Sequence, residues 1–260
     1  TPTAGTSNVR FGVNAGNSIA SGGNYNTVVG DEAGTALTTG DGNVAIGFNA
    51  LKTEDANGQN VAIGFKALED LNAGADGLNT AVGYSAGLNV TTGIQNTLIG
   101  GYAGDALTDA DFNVAVGTDA LTADTLGSRS VAIGRRSLYT QNFTSATDAY
   151  NVGVGFNAGY SVTTGIQNTF VGGLSGDATT TANSNAAFGY GSLGANTTGA
   201  QNVALGSGAL FSNTTASNNT AVGLNTLLAN TTGANNVAVG SFALDANTTA
   251  DSNTAVGYGS

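Results

Sequence analysis

The side chains able to do chemistry in this 260-residue chain are few, and their types narrow the options before any fold is considered. Cys, Met, Trp and His are all absent. That excludes disulfides, thiolate metal sites, cysteine nucleophiles, Ser-His-Asp triads and His-ligated zinc. Carboxylates are the remaining acid/base groups. Asp105, Asp109 and Asp111 form one cluster, and Glu54–Asp55 and Glu69–Asp70 form two more. Paired carboxylates can hydrolyse glycosidic bonds or hold Ca²⁺. No D-x-D-x-D-G calcium loop frames any of these, nor does a Gly-Gly-x-Gly-x-Asp nonapeptide. They read as a solvated edge, so we expect no catalytic residue, no metal and no cofactor, and not an enzyme.

Other motifs point outward. Asn-x-Thr sequons occur at Asn89, Asn142, Asn196, Asn213, Asn218, Asn230 and Asn247. Asn196, Asn213, Asn230 and Asn247 are spaced 17 apart, which suits a stacked amide ladder better than a glycan on every coil. Sugars, if any, are expected on isolated sites, Asn89 and Asn142 among them. Thr-Thr pairs recur at 38–39, 91–92, 163–164, 197–198, 214–215, 231–232 and 248–249. A flat Thr rank can order water as an ice-binding surface does, but adjacent strand residues face opposite sides, so at most one Thr of each pair joins a rank. The segment after Arg135 and Arg136 carries Tyr139, Phe143 and Tyr150. Loops on rigid scaffolds concentrate contacts, so Arg135, Arg136, Tyr139, Phe143 and Tyr150 form the candidate partner-binding patch.

These residues are positioned by a repeat. Asn-x-x-x-Gly starts at Asn8, Asn26, Asn43, Asn60, Asn79, Asn96, Asn113, Asn151, Asn168, Asn185, Asn202, Asn219, Asn236 and Asn253, with Ser130 in the Asn place once. Eleven of the fourteen intervals are 17 residues, and the others are 18, 19 and 21. A larger duplication relates 79–117 to 151–189. Residues 8–260 therefore read as one repetitive domain behind a short N-terminal extension, 1–7.

Within each copy the alternation has period 2, the mark of a short strand. The first and third residues after the Asn are large (Val44 and Ile46, Val61 and Ile63), and the residue between them is usually Ala. Eight residues after the Asn stands Leu (Leu51, Leu68, Leu121, Leu138, Leu193, Leu210, Leu227, Leu244) or Gly (Gly16, Gly34, Gly87, Gly104, Gly159, Gly176). Where Gly stands, an aliphatic residue appears three places later (Ile19, Leu37, Val90, Leu107, Val162), except at Thr179. One core slot per coil is thus filled from either of two places, because an empty slot is costly.

The expected architecture is all-β: a parallel β-roll or β-solenoid of about fifteen 17-residue coils, each with two strands of about five residues. Coils spaced about 4.8 Å apart give a rod roughly 70 Å long. The Ala-lined strand face is expected to pack against another copy, with Val28, Leu98 and Phe170 filling a central axis. A thin core favours such an obligate homo-oligomer.

Asn-Val-Ala-Ile-Gly at 43–47 and 60–64, and Ser-Val-Ala-Ile-Gly at 130–134, resemble the head repeats of trimeric autotransporter adhesins. Asn-Thr-Ala-Val-Gly-Tyr and Asn-Thr-Thr-Gly segments are similar to repeats of bacteriophage tail fibres. The resemblance covers residues 8–260, although the repeat here is longer than that of the adhesin heads. It implies a left-handed trimeric β-roll, an extracellular or virion-surface location, and a binding or spacer role towards a host-surface receptor or glycan.

The net charge is −11, from 6 basic and 17 acidic residues, and no Lys or Arg follows Arg136. Nucleic acid is therefore not an expected partner. No apolar run is long enough for a membrane helix, so no membrane insertion is expected. The chain starts at Thr1 without an initiator Met or secretory signal and reads as processed or as a fragment. Both ends look bare, and the last copy stops before its turn, which suggests a head-to-tail filament. The expected function is a structural or adhesive fibre, with ice binding or a carbohydrate-active solenoid as alternatives.

Overall fold

A computed structural model describes residues 5–260. The first four residues of the expected N-terminal extension lie outside the described ones. The chain divides into two compact units, one of residues up to Arg129 together with Phe143–Thr147, the other of Ser130–Asn142 with Asp148–Ser260. Both are parallel β-solenoids, and the described residues contain no helix.

In the first unit each coil contributes one three-residue strand: β1 (Val9–Phe11), β2 (Thr27–Val29), β3 (Val44–Ile46), β4 (Val61–Ile63), β5 (Thr80–Val82), β6 (Thr97–Ile99) and β7 (Val114–Val116). A two-residue strand, β8 (Gly127–Ser128), follows. The second unit continues the pattern with β9 (Val131–Ile133), β11 (Val152–Val154), β12 (Thr169–Val171), β13 (Ala186–Phe188), β14 (Val203–Leu205), β15 (Thr220–Val222), β16 (Val237–Val239) and β17 (Thr254–Val256). The short β10 (Thr147–Asp148) lies in the longest insertion. Pairing is parallel and in register, repeat residue upon repeat residue: Val44 on Val61, Ala45 on Ala62, Ile46 on Ile63. Fifteen coils at 17-residue spacing thus match the expected solenoid.

The second strand per coil does not form. Left-handed backbone positions exclude it. The residue before the Asn, the Gly four after it, and the residues six and eight after it all take positive φ; Gln59, Gly64, Lys66 and Leu68 stand at 63°, 138°, 57° and 49°. The arm is a train of turns whose amides bond across coils instead. Leu51 N donates to Ala67 O at 3.0 Å, and Thr53 N to Glu69 O at 3.1 Å. An L-residue in the left-handed region gives up roughly 1–2 kcal/mol. Fully burying a Leu side chain such as Leu51 returns about 2–3 kcal/mol, which offsets that strain.

The strand faces are the reverse of the expectation. The middle Ala side chains point inward and are fully buried (Ala45, Ala62, Ala115, Ala204), while the large first and third residues point out and are partly exposed. The interior is too narrow for a large residue opposite the Leu. Val28, Leu98 and Phe170 are accordingly not residues of an external axis: all three are fully buried inside their coils. The Leu/Gly exchange extends to them. Gly coils come in adjacent pairs, and the large middle residue belongs to the second coil of each pair. A Cβ on Gly87 or Gly104 would lie 2.7 Å from a Leu98 methyl, and one on Gly176 would lie 2.4 Å from the Phe170 ring. Ile19, Leu37, Val90, Leu107 and Val162 are buried in the same coils, as the exchange requires. Thr179 is buried there too, its hydroxyl without a hydrogen-bond partner.

A buried amide ladder runs beside this core. Each repeat Asn accepts, through Oδ1, the backbone N–H of the next repeat Asn: Asn43 N to Asn26 at 2.8 Å, Asn185 N to Asn168 at 3.0 Å. In most coils its Nδ2 donates to the carbonyl fourteen residues on, as from Asn26 to Gly40 O at 2.8 Å, whereas that of Asn60 turns back to Gly58 O at 3.1 Å. Ser130 has no amide to offer. Gln141 supplies it, donating to Ser130 Oγ at 3.0 Å and accepting from Asn151 Nδ2 at 2.9 Å.

Candidate functional site

The outer turns carry side chains five, six and nine residues after each Asn, and ranks of these are what a partner meets. In the second unit Arg135 and Arg136 leave β9 at positions five and six, and Tyr139 follows at nine. Phe156 and Tyr160 occupy the corresponding places of the next coil. The Arg136 guanidinium lies 5.4 Å from the Tyr139 ring centre, and that of Arg135 lies 5.8 Å from Phe156. Tyr139 and Tyr160 stack at 5.0 Å and 2°. The cluster is a basic and aromatic plate on an otherwise acidic chain. Both distances are within the reach of cation–π attraction.

Three of the five patch residues, Arg135, Arg136 and Tyr139, thus come together, joined by Phe156 and Tyr160. Phe143 does not join them. It is buried in the first unit, its N–H bonded to Asp124 Oδ1 at 3.2 Å, because a coil interior offers an aromatic ring more than the surface does. Tyr150 is exposed, and its hydroxyl donates to Asp148 at 3.4 Å. Asn89 and Asn142 are both exposed.

The carboxylates serve as cross-coil ties. Asp109 accepts from Thr92 Oγ1 at 2.7 Å, Asp111 from Ile94 N at 2.8 Å, and Asp105 from Thr122 Oγ1. Glu69 pairs with Lys66 at 3.0 Å and accepts from Asn49 Nδ2 at 2.6 Å. Among the described residues no three acidic side chains gather where they could hold a metal ion. The position fifteen after the Asn, which the sequence reading passed over, forms a rank of caps. Asp111, Asn183, Ser217 and Asp251 each take a turn N–H of the preceding coil. The alternation of Asp, Asn and Ser at one fixed offset was the available signal.

Glu54 is fully buried. Burial drives its carboxyl above the usual range, against the N–H groups of Ala73 and Asn57 and the Asn57 amide, which hold it down. A carboxyl whose folded pKa is raised contributes most below its unfolded value, and that contribution is lost as pH rises through the folded value. Each tenfold change in proton affinity corresponds to about 1.4 kcal/mol. The stability of the wild type relative to Glu54→Gln is therefore expected to rise as pH falls from 7 to 4, measured by urea unfolding at each pH. The opposite slope would refute this account.

The sequon column is interior. Asn196, Asn213 and Asn230 are fully buried and form a second amide ladder, Asn213 Nδ2 to Asn196 Oδ1 at 2.9 Å and Asn230 Nδ2 to Asn213 Oδ1 at 3.1 Å. The first Thr of the pairs at 163, 197, 214 and 231 is used as well: Thr197 Oγ1, for one, donates to Thr214 O at 3.0 Å, and Thr214 Oγ1 to Thr231 O at 3.1 Å. The second stays outside, so Thr164, Thr181, Thr198, Thr215, Thr232 and Thr249 make one exposed rank. In the first unit Phe48, Phe65, Tyr84 and Tyr102 form an aromatic ladder with centres 5.0–5.4 Å apart. The two closest-to-parallel pairs, Phe48–Phe65 and Phe65–Tyr84, cover ring faces and leave edges to solvent.

Comparison with protein-family models, curated proteins and solved structures finds no match at a significant level. The class of the protein is that of its fold, an all-β parallel solenoid of 17-residue coils.

Proposed function

We propose that this chain is a structural and adhesive protein, which associates side by side with copies of itself into an extracellular or virion-surface fibre or filament. One observation carries the reading. The outward first and third strand positions hold no charged residue in any coil, and many of their large side chains are exposed: Ile133, Phe188, Leu205, Val237 and Val239 by 36–41%. Eight such coils in the second unit, spaced about 4.8 Å, line these positions up as one largely apolar rank. Uncharged, contiguous apolar faces of this kind mark association surfaces. The occupant that matches a regular rank of side chains along a sheet is another rank of the same pitch, a second copy of this chain. A three-fold arrangement is the proposed assembly, in keeping with the resemblance to adhesin heads and tail fibres. The Arg135, Arg136, Tyr139, Phe156 and Tyr160 plate is then a surface for a host receptor or an anionic glycan.

Light scattering on the purified chain is expected to give three chain masses, with rods or filaments by electron microscopy. Replacing Val203, Leu205, Val237 and Val239 by Lys is expected to yield monomers with an unchanged β spectrum. A wild-type chain that stays monomeric at tens of micromolar would sink the proposal. Ice binding is the second reading, supported by the six-coil exposed Thr rank. Thermal hysteresis is its readout, and a monomer with strong hysteresis would favour it.

A further inference from the structure

Two neighbouring clefts of about 350 Å³ each open on the second unit and share Tyr190, Gly191 and Phe211. The repeat explains why they exist. Nine residues after the Asn, successive coils place Asp177, Gly194, Phe211 and Leu228 on the outer turn. Gly194 removes one side chain from that rank and leaves a slot one coil wide, with Asp177 on one side and Phe211 on the other. The position six after the Asn is also Gly in this coil and the next, Gly191 and Gly208, so the floor is backbone. Phe211 leans across it: a Cβ on Gly194 would lie 3.2 Å from Phe211 Cε2. Tyr190 is 64% exposed and Phe211 47%. Neither ring stacks on another aromatic side chain among the described residues, unlike those of the first-unit ladder.

Charge singles out the same place. Asp177 is the one charged residue between Asp148 and Asp245, and it lines the slot. We propose that this slot binds an organic cation, a quaternary or alkylated ammonium group, between the rings of Tyr190 and Phe211 with Asp177 as its counter-charge. Ring faces attract cations through their quadrupole, more strongly when partly desolvated. Leu174 at one end and Leu228 at the other favour alkyl groups on the nitrogen over a hydrated inorganic ion. Burial pushes the Asp177 carboxyl up, and an ion paired with it offsets that lost hydration. A neutral sugar also stacks on aromatic rings, but it needs several hydrogen-bonding groups around its hydroxyls, and in the cleft beside Asp177 the other lining residues offer only the Tyr190 hydroxyl and backbone, Ser207 and Asn225 lining the neighbouring cleft.

The test titrates the full chain with choline and with its uncharged carbon isostere, 3,3-dimethyl-1-butanol, by ligand-observed NMR. Choline is expected to bind at millimolar concentration and the isostere at least tenfold more weakly. Asp177→Asn is expected to weaken choline about tenfold, and Tyr190→Ala or Phe211→Ala by at least as much. Gly194→Val, which refills the rank, is expected to abolish binding while leaving the circular dichroism spectrum unchanged. Absence of choline binding, equal binding of the isostere, indifference to Asp177→Asn, or displacement of choline by methyl glucoside would each overturn the proposal. None of these outcomes bears on self-association, which light scattering reads separately.

Discussion

Gly47→Ala is expected to lower stability by more than about 3 kcal/mol, or to prevent folding of the first unit altogether. Gly47 has φ +135°, a conformation that side-chain-bearing residues rarely adopt, and a Cβ there would lie 2.3 Å from the carbonyl oxygen of Gly64 in the next coil. Backbone strain alone accounts for roughly 1–3 kcal/mol, and the steric overlap adds to it because the oxygen belongs to backbone held in register. The same geometry recurs at Gly30, Gly64, Gly83 and Gly100, which is why the fourth residue after the Asn is Gly in every copy. Gly42 is the control. It also has positive φ, 67°, but nothing lies within 4 Å of its Cβ position, so Gly42→Ala should lose only about 1 kcal/mol. Urea unfolding distinguishes the two, and equal effects would show that coil contact plays no part.

The second large effect is a rescue. Phe170→Ala empties the volume that Gly159 and Gly176 leave open, and should lower stability by about 3–5 kcal/mol. Gly176→Leu alone should be at least as damaging, since its Cβ would meet the Phe170 ring at 2.4 Å. Combined, the two substitutions recreate a Leu coil: Ala in mid-strand, and Leu at a left-handed position that Leu193 and Leu210 already occupy at φ 56° and 52°. The double variant is expected to recover only part of the loss, since the new Leu refills the space beside Gly176 while that beside Gly159 stays empty. The measured coupling energy settles the matter: destabilisations that simply add would mean the two side chains do not share one space.

The sequence disclosed the coil count, the strand positions and the exchange between Leu51-type and Leu37-type residues, because all three are statements about period and volume. It also pointed to the Asn196–Asn247 ladder, since glycans at that spacing would collide. It did not disclose which strand face turns inward. Period 2 separates Ala45 from Val44 and Ile46 but says nothing of the width of the interior, and the larger pair was set on the wrong side for association. Nor did it disclose the turn train. Left-handed Lys66, Tyr102 and Arg136 are not residues whose type announces positive φ, so an expected second strand stood where turns are. Phe143 was placed in a surface patch for its sequence neighbours, whereas burial was decided by Asp124 and the coil interior. The cleft at Gly194 depends on one missing side chain in a rank, visible only once the ranks are aligned in space.

The pairing of Gly coils governs how the gene for such a protein can lengthen or shorten. A Leu coil between two other Leu coils is self-contained, so one can be gained or lost by a slip of 51 nucleotides without disturbing its neighbours' interiors, whereas Leu68 and Leu138, next to Gly coils, reach towards Gly87 and Gly159. A Gly coil is not, because the large mid-strand residue of its partner fills space in both. Recombination must carry Gly coils two at a time. The duplicated segments 79–117 and 151–189 each enclose one such pair, with Leu98 in one and Phe170 in the other, so the heritable module is two coils wide wherever that packing is used.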